Sequence, residues 1–155
     1  GLKIAIVGDI LHSRVVRSDL HSLGRMGARM WLCGPATLLP REVARTGATL
    51  TCDIREAVRD ADVIIMLRIQ LERQKSAYFP SLREYSRRYS LNKALFSCAK
   101  ADAVIMHPGP INRGVELSDD LADCEQSRIL DQVASGVAVR MALLYLLAGG
   151  SHAAH

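Results

Sequence analysis

Five short apolar runs, at residues 2–7, 28–33, 49–52, 62–67 and 103–106, are separated by stretches with amphipathic helical spacing. This alternation constrains the fold more than any other feature of the chain. A run such as Asp62-Val63-Ile64-Ile65-Met66-Leu67, apolar without period-two alternation and closed at both ends by polar residues, reads as a strand buried on both faces. Buried strands that alternate with helices imply parallel βαβ units. The expected fold class is therefore α/β: a three-layer α/β/α arrangement around an open, mostly parallel, Rossmann-like sheet.

Local signals place the intervening elements. Val15, Val16, Leu20 and Leu23 recur at helical spacing over 13–26, with Ser13 as a capping residue and Gly24 and Gly27 near the end. Pro40 suits the first turn of a short helix over 40–45. Asp53 is positioned to cap a helix over 54–59, and a further helix is expected over 92–99. Residues 69–88 are polar and basic, interrupted by Pro80, and read as a partly mobile loop followed by a helix. A long polar loop follows residue 106, and the last helix is expected over 129–147. The domain is expected to span 1–148, with a frayed tail at 149–155. A chain that enters its first strand without any lead-in is expected of a domain cut from a longer protein.

Composition narrows the function classes. The net charge of +4 comes from scattered basic residues, and only 5% of residues are aromatic, so stacking platforms for nucleic acid are not expected. A modest positive balance suits a pocket for small anions. No unbroken apolar run reaches the ~18 residues of a membrane span, and no signal-peptide pattern stands at the start, so no membrane partner is expected. Cys33, Cys52, Cys98 and Cys124 show neither C-x-x-C nor zinc-ligand spacing. They suggest a reducing, cytoplasmic setting with neither metal nor other cofactor.

In an open parallel sheet, ligands bind beyond the carboxyl ends of the strands. Three loops qualify. Residues 8–18 carry one glycine where a dinucleotide fingerprint needs three, which argues against a nucleotide site. They also place Arg14 in the first turn of a helix, where a cation opposes the helix dipole. A carboxylate-binding role would explain that cost, with a solvated arginine as the plain alternative. In the second loop, Arg68 directly follows the most buried strand, and a charge there needs a partner. Glu72 or a ligand carboxylate could supply it, and Gln70 could hold a ligand polar group. In the third, His107-Pro108-Gly109-Pro110 forms a rigid turn, and Gly109–Pro110 is a candidate cis bond. Its carbonyls could accept from a substrate amide, or the turn could merely reverse the chain. Together the loops hold two arginines and no evident nucleophile. That pattern suits positioning a dianion and does not suit hydrolysis by a Ser or Cys triad. His12 and His107 are read as structural.

Residues 8–18, 66–73 and 106–116, together with Gln132-Val133-Ala134-Ser135-Gly136-Val137-Ala138-Val139-Arg140-Met141-Ala142, resemble bacterial aspartate carbamoyltransferases, in the family's order and across the whole chain. The resemblance implies an aspartate- and ornithine-carbamoyltransferase-type domain. It implies that Arg14 and Arg68 bind the carboxylates of L-aspartate with support from Gln70. Gly109 and Pro110 would offer backbone carbonyls to carbamoyl phosphate, and Glu72 and Arg73 would belong to a loop that closes over the site. It further implies carbamoyl transfer to L-aspartate in pyrimidine (UMP) synthesis. The chain carries neither the S-x-R-T-R nor the H-P-x-Q motif of the family's carbamoyl-phosphate half. No catalytic residue is therefore expected on this half, and it is expected to be inactive alone. Expected partners are that N-terminal half and a homotrimer of full-length chains, with dihydroorotase or a regulatory chain as further candidates. The alternatives are a non-catalytic module of the same fold and an ornithine-type carbamoyltransferase. The H-P-G-P turn, where the ornithine enzymes carry H-C-L-P, and Arg68 speak against the latter.

Overall fold

A computed structural model describes residues 1–69 and 81–149. Its centre is one sheet of five strands: β1 (Lys3–Val7), β2 (Arg29–Cys33), β3 (Thr49–Thr51), β4 (Val63–Met66) and β5 (Val104–Met106). They lie in the order β3-β2-β1-β4-β5. Every pairing is parallel, with Val7 opposite Cys33 on one side and Met66 on the other. The expectation of a mostly parallel sheet is thus met by an entirely parallel one among the described residues.

The apolar runs explain the layering. All five residues of β1 are buried, and their side chains alternate between two cores. Ile4 and Ile6 join Met30, Leu32, Ile65, Leu67 and Val16 of α1 (Arg14–Arg25) on one face. Ala5 and Val7 join Ile64, Met66 and Ile105 on the other. That second face is covered by α2 (Ile54–Val58), α3 (Leu82–Tyr89) and the segments around α4 (Lys93–Phe96) and α5 (Asp119–Ala122). Helices on both faces are what strands without polar sides require.

Helix starts follow the capping chemistry. The Ser13 hydroxyl accepts the Val16 N–H at 3.2 Å, the Asp53 carboxylate accepts the Arg55 N–H at 2.9 Å, and Asn92 accepts the Leu95 N–H at 3.0 Å. Three local expectations change. Residues Arg41–Thr46 form a 3-10 helix, closed by Gly47 at φ 85°, with Pro40 preceding it. The helix expected over 92–99 is one turn, Lys93–Phe96. The polar loop after β5 contains α5. The final helix, α6 (Ile129–Gly149), stands largely exposed. By length and composition it is apolar enough to cross a membrane, which the apolar runs in the sequence did not signal.

Candidate functional site

The strand order reverses between β1 and β4: the chain steps outward from β1 to β3, then crosses to β4 and β5. Loops leaving β1 and β4 diverge at such a switch point and open a crevice between them. A cleft of about 350 Å³ lies there, lined by Asp9, His12 and Arg14 after β1, by Arg68 after β4, by Gly109 after β5, and by Arg140 of α6. Among the described residues, larger hollows include one of about 660 Å³ beside α1 and one of about 600 Å³ beside α3. The first lies away from the carboxyl ends of the strands, and the second lies against α3 rather than between the loops leaving β1 and β4, so the smaller cleft is the better candidate on topological grounds.

The structure brings Arg14, Arg68 and Gly109, which come from loops far apart in sequence, to one wall-to-wall space. Pro110 is exposed and does not line the cleft, and the Gly109–Pro110 bond is cis. Gln70, Glu72 and Arg73 lie outside the described residues.

Three lining groups did not stand out in the sequence. Arg140 interrupts an apolar helix, and its position mid-helix was the available signal. Asp9 is 4% exposed and accepts both the backbone N–H and the Nδ1 of His12 at 3.0 Å. Both residues line the cleft with Arg14, so His12, read as structural, belongs to its wall. Among the described residues that line the cleft, three carry guanidinium groups and one a carboxylate.

His107 anchors the third loop from below. It is fully buried, and its Nδ1 accepts the Gly109 N–H at 2.9 Å, which assigns the ring proton to Nε2. Burial, and then the Arg68 cation, push its pKa down to about 4, so the ring is neutral. Its own backbone N–H donates to Gln132 Oε1 at 3.0 Å. That bond ties the turn to the start of α6, and Arg140 lies eight residues, about 12 Å, further along the helix.

The second and third loops are joined by a buried carboxylate. Glu116, fully buried, accepts the Ile69 N–H at 2.9 Å and the Asn112 Nδ2–H at 2.8 Å on one oxygen, and the Asn112 backbone N–H at 3.0 Å on the other. Burial raises its pKa, and these donors oppose the rise.

An open parallel α/β domain with an arginine-rich cleft at its switch point defines a class: doubly wound domains whose crevice lies beyond the carboxyl ends of the strands. Comparison with known proteins narrows it. The sequence model of the family described as "Aspartate/ornithine carbamoyltransferase, Asp/Orn binding domain" matches residues 1–147, and the chain belongs to that family. It is 60% identical to the aspartate carbamoyltransferase catalytic subunit of Geotalea daltonii over 97% of the chain and 49% of that protein. With the corresponding subunit of Pelotomaculum thermopropionicum it shares 57% identity, over 97% of the chain and 48% of that protein. Among solved structures it resembles the ornithine carbamoyltransferase of Pyrococcus furiosus (TM-score 0.80, 30% identity, 94% of the chain, 49% of that one). It also resembles the aspartate transcarbamoylase of Trypanosoma cruzi in complex with phosphate (TM-score 0.77, 28% identity, 94% of the chain, 48% of that one). The chain spans about half the length of the curated relatives it matches.

Proposed function

We propose that this chain is the aspartate-binding half of an aspartate carbamoyltransferase, which converts carbamoyl phosphate and L-aspartate to N-carbamoyl-L-aspartate and phosphate in pyrimidine (UMP) synthesis. The observation that carries the reading is the cleft in which Arg14, Arg68 and Arg140 converge beside Gly109. The neutral aspartate amine attacks the carbamoyl carbon, a tetrahedral intermediate forms, and phosphate leaves with the C–O bonding pair and takes up the proton that the amine gives up. Such a reaction needs two reactants held in register more than it needs a protein nucleophile. Arg14 and Arg68 would each hold one carboxylate, and charge-assisted, forked pairing suits guanidinium for that task. Gly109 and Pro110 would present backbone carbonyls to the carbamoyl amide. Gln70 would support the aspartate, and Glu72 and Arg73 would close the site.

Charge separates the two amino acids that the family handles. Ornithine brings one carboxylate and a cationic side chain, which three guanidinium groups repel. Aspartate brings two carboxylates. The names of the 54–60% identical relatives point the same way.

The second substrate needs further residues. The chain spans half of its relatives, and α6 leaves Leu130, Leu144, Tyr145 and Leu147 between 67% and 84% exposed. A carbamoyl-phosphate-binding half covering that helix would bury this surface and complete the site. Arg140, on the same helix, lines the cleft, and the family match runs through α6, both of which favour a cover of protein over a lipid bilayer. The assembled enzyme would be a cytoplasmic homotrimer, open to a regulatory chain or dihydroorotase.

Calorimetric titration of the full-length enzyme with N-phosphonoacetyl-L-aspartate, which joins a phosphonate to aspartate, tests the reading. Arg68→Ala removes a charge-assisted pair, so affinity should fall about 10- to 100-fold. Unchanged affinity in that variant, or equal affinity for the matching ornithine derivative, refutes it.

A further inference from the structure

Arg68 is useful only if its backbone is held still, and the residue that follows it is held in an unusual way. Both backbone groups of Ile69 are captured by side chains from the third loop. Its N–H donates to Glu116 Oε1 at 2.9 Å, and its carbonyl accepts from Asn112 Nδ2 at 3.2 Å. The partners lie 47 and 43 residues away in sequence, so this is no local turn. Asn112 and Glu116 also bind each other, through Nδ2 at 2.8 Å and through the Asn112 backbone N–H at 3.0 Å. The far side is braced as well: the Glu116 carbonyl accepts the Leu91 N–H at 2.9 Å, and Ser86 Oγ donates to the Gly114 carbonyl at 2.9 Å.

A fully buried carboxylate is a poor choice if stability were the only demand, because desolvating it costs more than packing an apolar side chain. What Glu116 supplies is a fixed geometry between two loops. One carries Arg68. The other carries the Gly109–Pro110 turn. We infer that Glu116 and Asn112 act together as a positioning clamp that sets Arg68 against the Gly109–Pro110 turn, and so fixes where the aspartate carboxylate sits relative to the carbamoyl group. The inference rests on the aspartate-binding reading above.

A small displacement is costly in a reaction that works by alignment, where about 1 Å of misplacement can cost about a hundredfold. The test is steady-state kinetics of the full-length enzyme with Asn112→Ala and Glu116→Gln, each alone and together, alongside thermal unfolding. Both single variants should raise the KM for aspartate by about tenfold or more. The KM for carbamoyl phosphate should move less. The double variant should do little more than the worse single one, because both act through one clamp. If Glu116→Gln fails to fold, Asn112→Ala carries the test.

A lowered melting temperature with the aspartate KM unchanged, measured well below that temperature, overturns the clamp. Arg68→Ala in the same assay separates the two levels of the argument. If it raises the aspartate KM while the clamp variants do not, only the clamp falls. If it too leaves the KM unchanged, the aspartate-binding reading falls, and the clamp with it.

Discussion

The cleft depends on a few side chains whose surroundings differ sharply. Arg14 is exposed at the start of α1, whereas Arg68 is half-buried after β4, and His107 lies fully buried beneath the turn. The neutral state of His107 makes the third loop sensitive to acid. In the unfolded chain a histidine takes up its proton near pH 6.5, while the folded chain holds His107 neutral down to about 4. The unfolded state therefore binds more protons in that window. The stability His107 contributes is complete above about pH 6.5 and is lost as pH falls toward 4, by up to about 3 kcal/mol. Urea unfolding at a series of pH values should show this slope. His107→Asn, whose side-chain oxygen can still accept the Gly109 N–H, should flatten it, and an unaltered slope would show that other groups carry the acid sensitivity.

At the level of elements, each functional loop is the exit of a buried strand, and the exits are tightly packed. Gly8, directly after β1, has φ 137°, and a Cβ there would stand 2.8 Å from Leu67 Cβ. Only glycine allows β1 and β4 to release their loops so close together. Gly8→Ala should therefore destabilise the fold by about 1–3 kcal/mol through strain and a forced shift of Leu67, as read by denaturant midpoint. Because Leu67 precedes Arg68, ligand affinity should fall too, and a variant with wild-type affinity would show that the exit of β4 tolerates the shift. The cap of α1 is a separate device. Ser13 has its hydroxyl on the Val16 N–H, and that bond sets where the helix starts and so where Arg14 projects.

Over the whole molecule, sheet order decides the location of the site and α6 decides what else the domain needs. The reversal at β1 and β4 sets three loops around one crevice. Helix α6 touches that crevice through Arg140 and is tied to the turn after β5 through Gln132, yet most of its apolar surface faces outward. If a second half covers it, Leu144→Asp and Leu147→Asp should have little effect, within about 0.5 kcal/mol, on the chain by itself. In the full-length protein they should cost several-fold more, since a charge would then enter an apolar contact. Unfolding curves for the two forms decide the matter, and equal effects in both would rule out burial of that surface by a second half.

The periodicity of the sequence determined the parallel α/β class and the strand positions to within a residue or two, and capping chemistry marked Ser13 and Asp53, because each rests on forces acting within a few residues. Local chemistry also marked Arg14 and Arg68 as misplaced charges that wanted a reason. What local chemistry does not contain is which strands are neighbours. The β3-β2-β1-β4-β5 order brought Arg14, Arg68 and Gly109 together, and folding back of the chain from Gln132 onward added Arg140. Nor does it contain the pairing of Glu116 with Ile69, 47 residues apart. Such contacts exist only once the sheet has assembled and removed the carboxylate and the backbone N–H from water.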